Sequence, residues 1–176
     1  MEISKKCFIK VGNCGEKYVI LEIISGIMGF SGTITAKMDV KGRVFFPSAY
    51  RKQMGSAASE FVLRRDVYQP CLVIYPLEAW NEEVDALRRT LNRWNPQDAM
   101  VFRQFLAGAE TLSLDAAGRF LVPRSLQKVL GDARELTFIG VDDRIEIWAA
   151  GRTEQVFLTD EALGAALQNL SPGVTG

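Results

Sequence analysis

Apolar side chains fall on every second residue at Ile34, Ala36 and Met38, a period of two that predicts a strand with one covered face. The next five residues, Asp39-Val-Lys-Gly-Arg43, read as a turn: glycine takes positive φ without strain, and aspartate accepts hydrogen bonds from backbone amides just ahead of it. A second strand follows at Val44 to Phe46. Pro47 then stands where a short helix begins and Gly55 where it ends, which is the usual asymmetry of helix termini. The apolar runs Phe61-Val-Leu and Cys71-Leu-Val-Ile-Tyr75 predict two more strands.

The same order returns later in the chain. Gly32 to Pro47 matches Gly108 to Pro123 at a constant offset of 76 residues, with Asp, Gly, Arg and Pro in register, and the match extends through Lys52 and Lys128 to Gly55 and Gly131. Beyond the glycines the register loosens, but Leu136-Thr-Phe-Ile parallels the third strand and Arg144-Ile-Glu-Ile-Trp148 the fourth. A unit of strand, turn, strand, helix and two strands has only about 40 residues, too few for an independent core, so two copies must pack together or dimerise. Between the copies, Leu77, Trp80, Val84, Leu87, Leu91 and Trp94 recur at spacings of three and four, an amphipathic helix whose stripe reads as core. Asn95-Pro96 caps and opens a second helix through Val101, Phe102, Phe105 and Leu106, and a last helix falls within Thr153 to Leu170. The class is therefore α+β.

Composition removes several functions. Of 176 residues, 48% are hydrophobic, which suffices for a core, and 21 basic residues balance 21 acidic ones, so global charge names no partner. There is no histidine, which excludes Ser-His-Asp and Cys-His catalysis and removes the commonest metal ligand. Cys7, Cys14 and Cys71 form no Cys-x-x-Cys pair, and an odd set of reduced thiols reads as cytoplasmic. Adjacent acids at Glu82-Glu83 and Asp142-Asp143 read as solvated surface rather than as a catalytic pair. No enzyme, metal or cofactor is expected.

The paired Asp-x-x-Gly-Arg motif, with proline four residues after each arginine and Tyr75-Pro-Leu-Glu-Ala-Trp80 between the copies, resembles the MraZ family from Gly29 to about Gly151. That resemblance implies two tandem AbrB-like swapped-hairpin β-units in a pseudo-symmetric, intertwined β-core, with helices between and after the repeats. It also implies a bacterial, nucleoid-associated transcriptional regulator of the division and cell-wall gene cluster. Such a protein binds double-stranded DNA at promoter direct repeats as a ring-like homo-oligomer, and its first-copy arginine, here Arg43, touches DNA. The rival reading is an antitoxin-like oligomeric adaptor that binds a protein through the Trp80 to Trp94 helix.

Local charge favours the first copy as the DNA-reading half. From Met28 to Pro70 seven bases stand against Asp39, Glu60 and Asp66, whereas from Gly108 to Gly151 five bases stand against seven acids. Lys37, Lys41, Arg43 and Arg51 are the candidate DNA contacts. Asp39, Gly42, Asp115, Gly118 and Arg119 are candidate motif residues with structural roles, and Arg119 is expected to serve assembly. Arg43 has two readings, an ion pair with Asp39 or a base contact, and its several donors allow both at once.

The expected organisation is an N-terminal extension at 1–28, a first unit at 29–80, a helical connector at 76–107, a second unit at 108–151, and a C-terminal helix and tail at 152–176. No apolar run is long enough to span a membrane, and the first residues lack the pattern of a cleaved signal. Residues 1 to 27 are either translated upstream sequence, with Met28 as the native start, or an addition beside the DNA face.

Overall fold

The computed structural model describes residues 29–54 and 60–170. The expectations for residues 1 to 27, Cys7 and Cys14, for the helix stop at Gly55, and for the tail after Leu170 lie outside the described residues. Those described form an α+β fold of eight strands and five α-helices, with every strand pair antiparallel. In the first half these are β1 (Thr33–Lys37), β2 (Arg43–Phe45), α1 (Ser48–Met54), β3 (Glu60–Arg65) and β4 (Leu72–Pro76). The connector is α2 (Leu77–Thr90) and α3 (Pro96–Ala107). The second half runs β5 (Ala109–Ser113), β6 (Arg119–Leu121), α4 (Arg124–Gln127), β7 (Glu135–Val141) and β8 (Arg144–Ala149), followed by α5 (Asp160–Leu170).

Strand order in the larger sheet is β1-β7-β8-β4-β3-β5, and β2 pairs with β6 in a separate ribbon. The first strand of each half thus pairs with the third strand of the other: Thr33 faces Ile139 and Ala109 faces Arg64. In the ribbon Val44 faces Phe120, its own counterpart 76 residues on, as a local two-fold relation requires.

The larger sheet is covered on both faces, which explains why β3 and β4 read as continuous apolar runs instead of alternating ones. One face carries Phe61, Leu63, Leu72, Ile74, Leu136, Phe138, Ile145 and Ile147 against Val44 and Phe120 of the ribbon and Tyr50 and Leu126 of the short helices. Phe46, Phe61 and Phe120 meet there at centroid distances of 5.3 to 6.1 Å, so the aromatic centre draws on both halves. Neither half has a core of its own, which is the outcome the small unit size demands. The other face packs Val62, Cys71, Val73, Tyr75, Ile139 and Trp148 against Leu77 and Trp80 of α2.

The connector follows its stripe only in part. Val84 is buried and Trp80 sits against Tyr75, but α2 stops at Thr90 and Trp94 lies beyond it, 86% exposed. The chain must leave the helix to set Asn95, whose side chain accepts the Gln97 amide at 2.9 Å, ahead of Pro96. No described helix is long and apolar enough to cross a membrane.

Candidate nucleic-acid interface

Each Asp-x-x-Gly-Arg segment closes into the same clamp. Asp39 Oδ1 accepts the Lys41 and Arg43 amides, both at 2.9 Å, and Oδ2 accepts Arg43 Nε and Nη2, both at 2.7 Å. Asp115 repeats this, taking the Ala117 and Arg119 amides at 2.9 Å and Arg119 Nε and Nη2 at 2.9 and 2.8 Å. The Arg43 amide, joined by the Arg43 guanidinium and the Lys41 amide, holds the Asp39 pKa down at about 2 against the opposing effect of desolvation. Asp115 is lowered for the same reasons, the Arg119 amide first. Gly42 and Gly118 close the turns at φ +83° and +77°.

The clamp orients the arginines without using them up. Nε and one hydrogen of Nη2 go to aspartate, which leaves three of the five guanidinium N–H groups free to face outward. Both readings of Arg43 are thus structurally compatible: the ion pair with Asp39 is present, and the free edge remains. Strand alternation turns Val44 and Phe120 into the core, so Arg43 and Phe45 of β2 and Arg119 and Leu121 of β6 share the outer face of the ribbon. Phe45 and Leu121 are more than half exposed there, and the Arg119 guanidinium lies 5.7 Å over the Phe45 ring.

Because β2 and β6 run antiparallel, the two loops stand at opposite ends of the ribbon, and this pairing divides the four candidate DNA contacts between them. Lys41 and Arg43 belong to the first loop. Arg51 lies against Gly118 of the second loop, where it and Lys37 help line a groove with Phe45, Pro47 and Ala117. Lys37 also forms an exposed ion pair with Glu135 at 3.3 Å, a contact of little energetic weight. At the first loop the position equivalent to Arg51 is Gln127, which donates to the Val122 carbonyl at 2.7 Å beneath Gly42.

Sequence reasoning missed Gln127, although the offset of 76 residues that pairs it with Arg51 was available. It also missed Arg134, which donates to the Asp39 carbonyl at 2.7 Å from 95 residues away and braces the first loop. No local signal marks that contact. Among the described residues no group of acidic, cysteine or histidine side chains could hold a metal.

Comparison with known proteins gives this geometry a family. The model of the family described as "MraZ protein, putative antitoxin-like" matches the chain twice, over residues 29–103 and 105–166. The chain belongs to the MraZ family. It is 46% identical over 142 residues to the transcriptional regulator MraZ of Bacteroides fragilis, covering 80% of this chain and 90% of that protein. The protein of the same name from Phocaeicola vulgatus is 45% identical over 144 residues, covering 81% and 94%, and that from Escherichia coli K12 is 34% identical over 120 residues, covering 68% and 78%. The MraZ family is one of transcriptional regulators, and this member is not an enzyme. The Asp-x-x-Gly-Arg loops and the exchanged strands fall within the two matched segments, and the boundary between the segments lies in α3 of the connector.

Proposed function

We propose that this MraZ-family chain is a sequence-specific regulator that binds double-stranded DNA at direct repeats in the promoter of the bacterial division and cell-wall gene cluster, acting as a ring-like homo-oligomer in the cytoplasm, at the nucleoid. In this reading the exchange of β1 and β5 is the swapped-hairpin arrangement of two AbrB-like units, spanning 29–80 and 108–151 and joined by the connector at 76–107. The observation that carries the proposal is the ribbon face: two arginines held in one orientation by their own aspartates, with free N–H edges pointing outward. A two-stranded ribbon fits a major groove, where arginine can bond guanine, and Lys41, Lys37 and Arg51 at its ends suit flanking phosphates. A single ribbon presents a small contact, and an oligomer that aligns several on repeated sites gains affinity by effective concentration.

The test compares binding to the DNA upstream of the chain's own gene with binding to shuffled DNA at two salt concentrations. Preference for the native repeats at both, with affinity falling as salt rises, is expected. Equal affinity for the two DNAs overturns the proposal. It would favour an antitoxin-like adaptor, a reading that draws on the exposed Trp94 and Met100 of the connector.

A further inference from the structure

Among the described residues one buried charge forms no ion pair. Arg64 on β3 is 7% exposed, and its guanidinium carbon lies 3.8 Å from the centre of the Phe105 ring, which stacks on Trp80 at 5.4 Å and 1°. Its Nε donates to the Arg65 carbonyl at 3.1 Å, but among the described residues no acidic side chain forms an ion pair with it. The neighbouring Asp66 accepts the Tyr68 and Gln69 amides with Oδ1, at 2.8 and 2.7 Å, and forms no ion pair with Arg64. A buried cation calls for a hydrogen-bonded anion. Arg64 lines an open cavity of about 510 Å³ with Arg65, Asp66, Val67, Val101, Gln104 and Phe105, so two guanidinium groups face one carboxylate there, and Val67 and Val101 at its edge are 59% and 44% exposed.

A second surface lacks a partner as well. Helix α5 buries no residue, yet Leu163, Ala166, Leu167 and Leu170 recur at helical spacing as one apolar stripe, with the three leucines 47%, 55% and 79% exposed. Asp160 stands at the head of that stripe, three residues before Leu163. Glu161 is engaged in capping, its pKa lowered by its own backbone amide and the Thr159 hydroxyl, whereas Asp160 forms no ion pair among the described residues. No α5 residue lines the Arg64 cavity of its own chain.

We infer that α5 of one copy docks on the Arg64 cavity of a second copy, with the Asp160 carboxylate meeting the Arg64 guanidinium and Leu163 and Leu167 covering Val67, Val101 and Phe105. The cavity, with two arginines to one aspartate, is opposite in charge to Asp160, and both surfaces expose apolar side chains. Because donor and acceptor are different patches, the contact is head-to-tail, and repetition yields a closed ring or an open filament. This deepens the oligomeric part of the function proposed above and rests on it.

The test measures association of the full chain by sedimentation at several concentrations. Asp160→Lys and Arg64→Glu should each weaken it about tenfold or more, and the doubly reversed protein should recover most of the loss. If Arg64→Glu loses its fold by circular dichroism, Val101→Glu alone and then with Leu163→Lys repeats the test at exposed positions. Unchanged association in Asp160→Lys and Leu163→Asp overturns the inference, whichever anion the cavity then takes, and so does a double variant that stays folded without recovery. Binding to a duplex with a single site separates this from failure of DNA recognition. Asp160→Lys should keep single-site affinity and lose only the gain on tandem sites, while a wild-type chain with no preference for either duplex fails the functional reading instead.

Discussion

Substituting alanine at the two motif glycines should give unequal losses of stability, although the two loops have the same backbone form. Both positions have positive φ, +83° at Gly42 and +77° at Gly118, so either alanine meets a conformational penalty of about 1 to 2 kcal/mol. The surroundings differ. A Cβ on Gly42 would sit 3.3 Å from the Val122 carbonyl oxygen and far inside contact distance of the Gln127 amide, whose hydrogen bond to that same carbonyl it would break. Losing this half-buried bond adds about 0.5 to 1.5 kcal/mol, and the backbone carbonyl cannot retreat because the Val122 amide is tied to Gly42 oxygen at 2.9 Å. A Cβ on Gly118 would meet only the tip of Arg51, which can swing into solvent. Gly42→Ala should therefore cost about 1.5 to 3.5 kcal/mol and Gly118→Ala about 1 to 2. Urea denaturation at one fixed protein concentration measures both, since association would otherwise shift the midpoints. A Gly118→Ala loss equal to or larger than that of Gly42→Ala would refute the asymmetry, and with it the view that Gln127 braces the first loop.

Arg43→Ala should retain the fold and lower affinity for the native repeats by about 1 to 3 kcal/mol per engaged site, read by fluorescence anisotropy; an undiminished preference over shuffled DNA removes Arg43 from the reading surface. The clamp should open only in strong acid. Asp39 titrates near 2 in the folded chain against 3.8 for a free carboxyl, so its contribution to stability is complete above the unfolded value and disappears as pH falls through the folded one, a midpoint that carboxyl NMR shifts check directly. Cys71 is fully buried and its thiol is pushed up by desolvation, so alkylation mapped by peptide mass should leave Cys71 unlabelled in the native protein and label it after unfolding.

Much of this protein is legible along the chain because its key devices act over a few residues. An Asp-x-x-Gly-Arg segment holds the carboxylate, the amides it accepts and the guanidinium it binds within five consecutive positions, so the clamp follows from spacing alone. Asn95 before Pro96 marks the start of α3 for the same reason, and Gly131 at φ +64° marks the end of the turn after α4. Burial of β3 and β4 on both faces was legible as unbroken apolar runs, and the offset of 76 residues announced two equivalent units.

What only the tertiary structure decided is which partner each unit takes. An alternating strand buries one face whether it pairs within its own half or across to the other, so period and composition leave β1 free to join β3 or β7. The structure pairs it with β7. The antiparallel pairing of β2 with β6 likewise carries Arg51 of the first half to the second loop, sets Gln127 under the first, and spreads over both ends of the ribbon a charge that by chain position belongs to one unit. Arg64 shows the same limit. Along the chain it is one of two adjacent basic residues at the end of a strand, and only packing against Trp80 and Phe105 of the connector helices makes it a buried cation. Hydrogen bonds within a loop are set by the order of residues, whereas burial and neighbouring charge depend on segments distant in sequence that meet only when the two halves interlock.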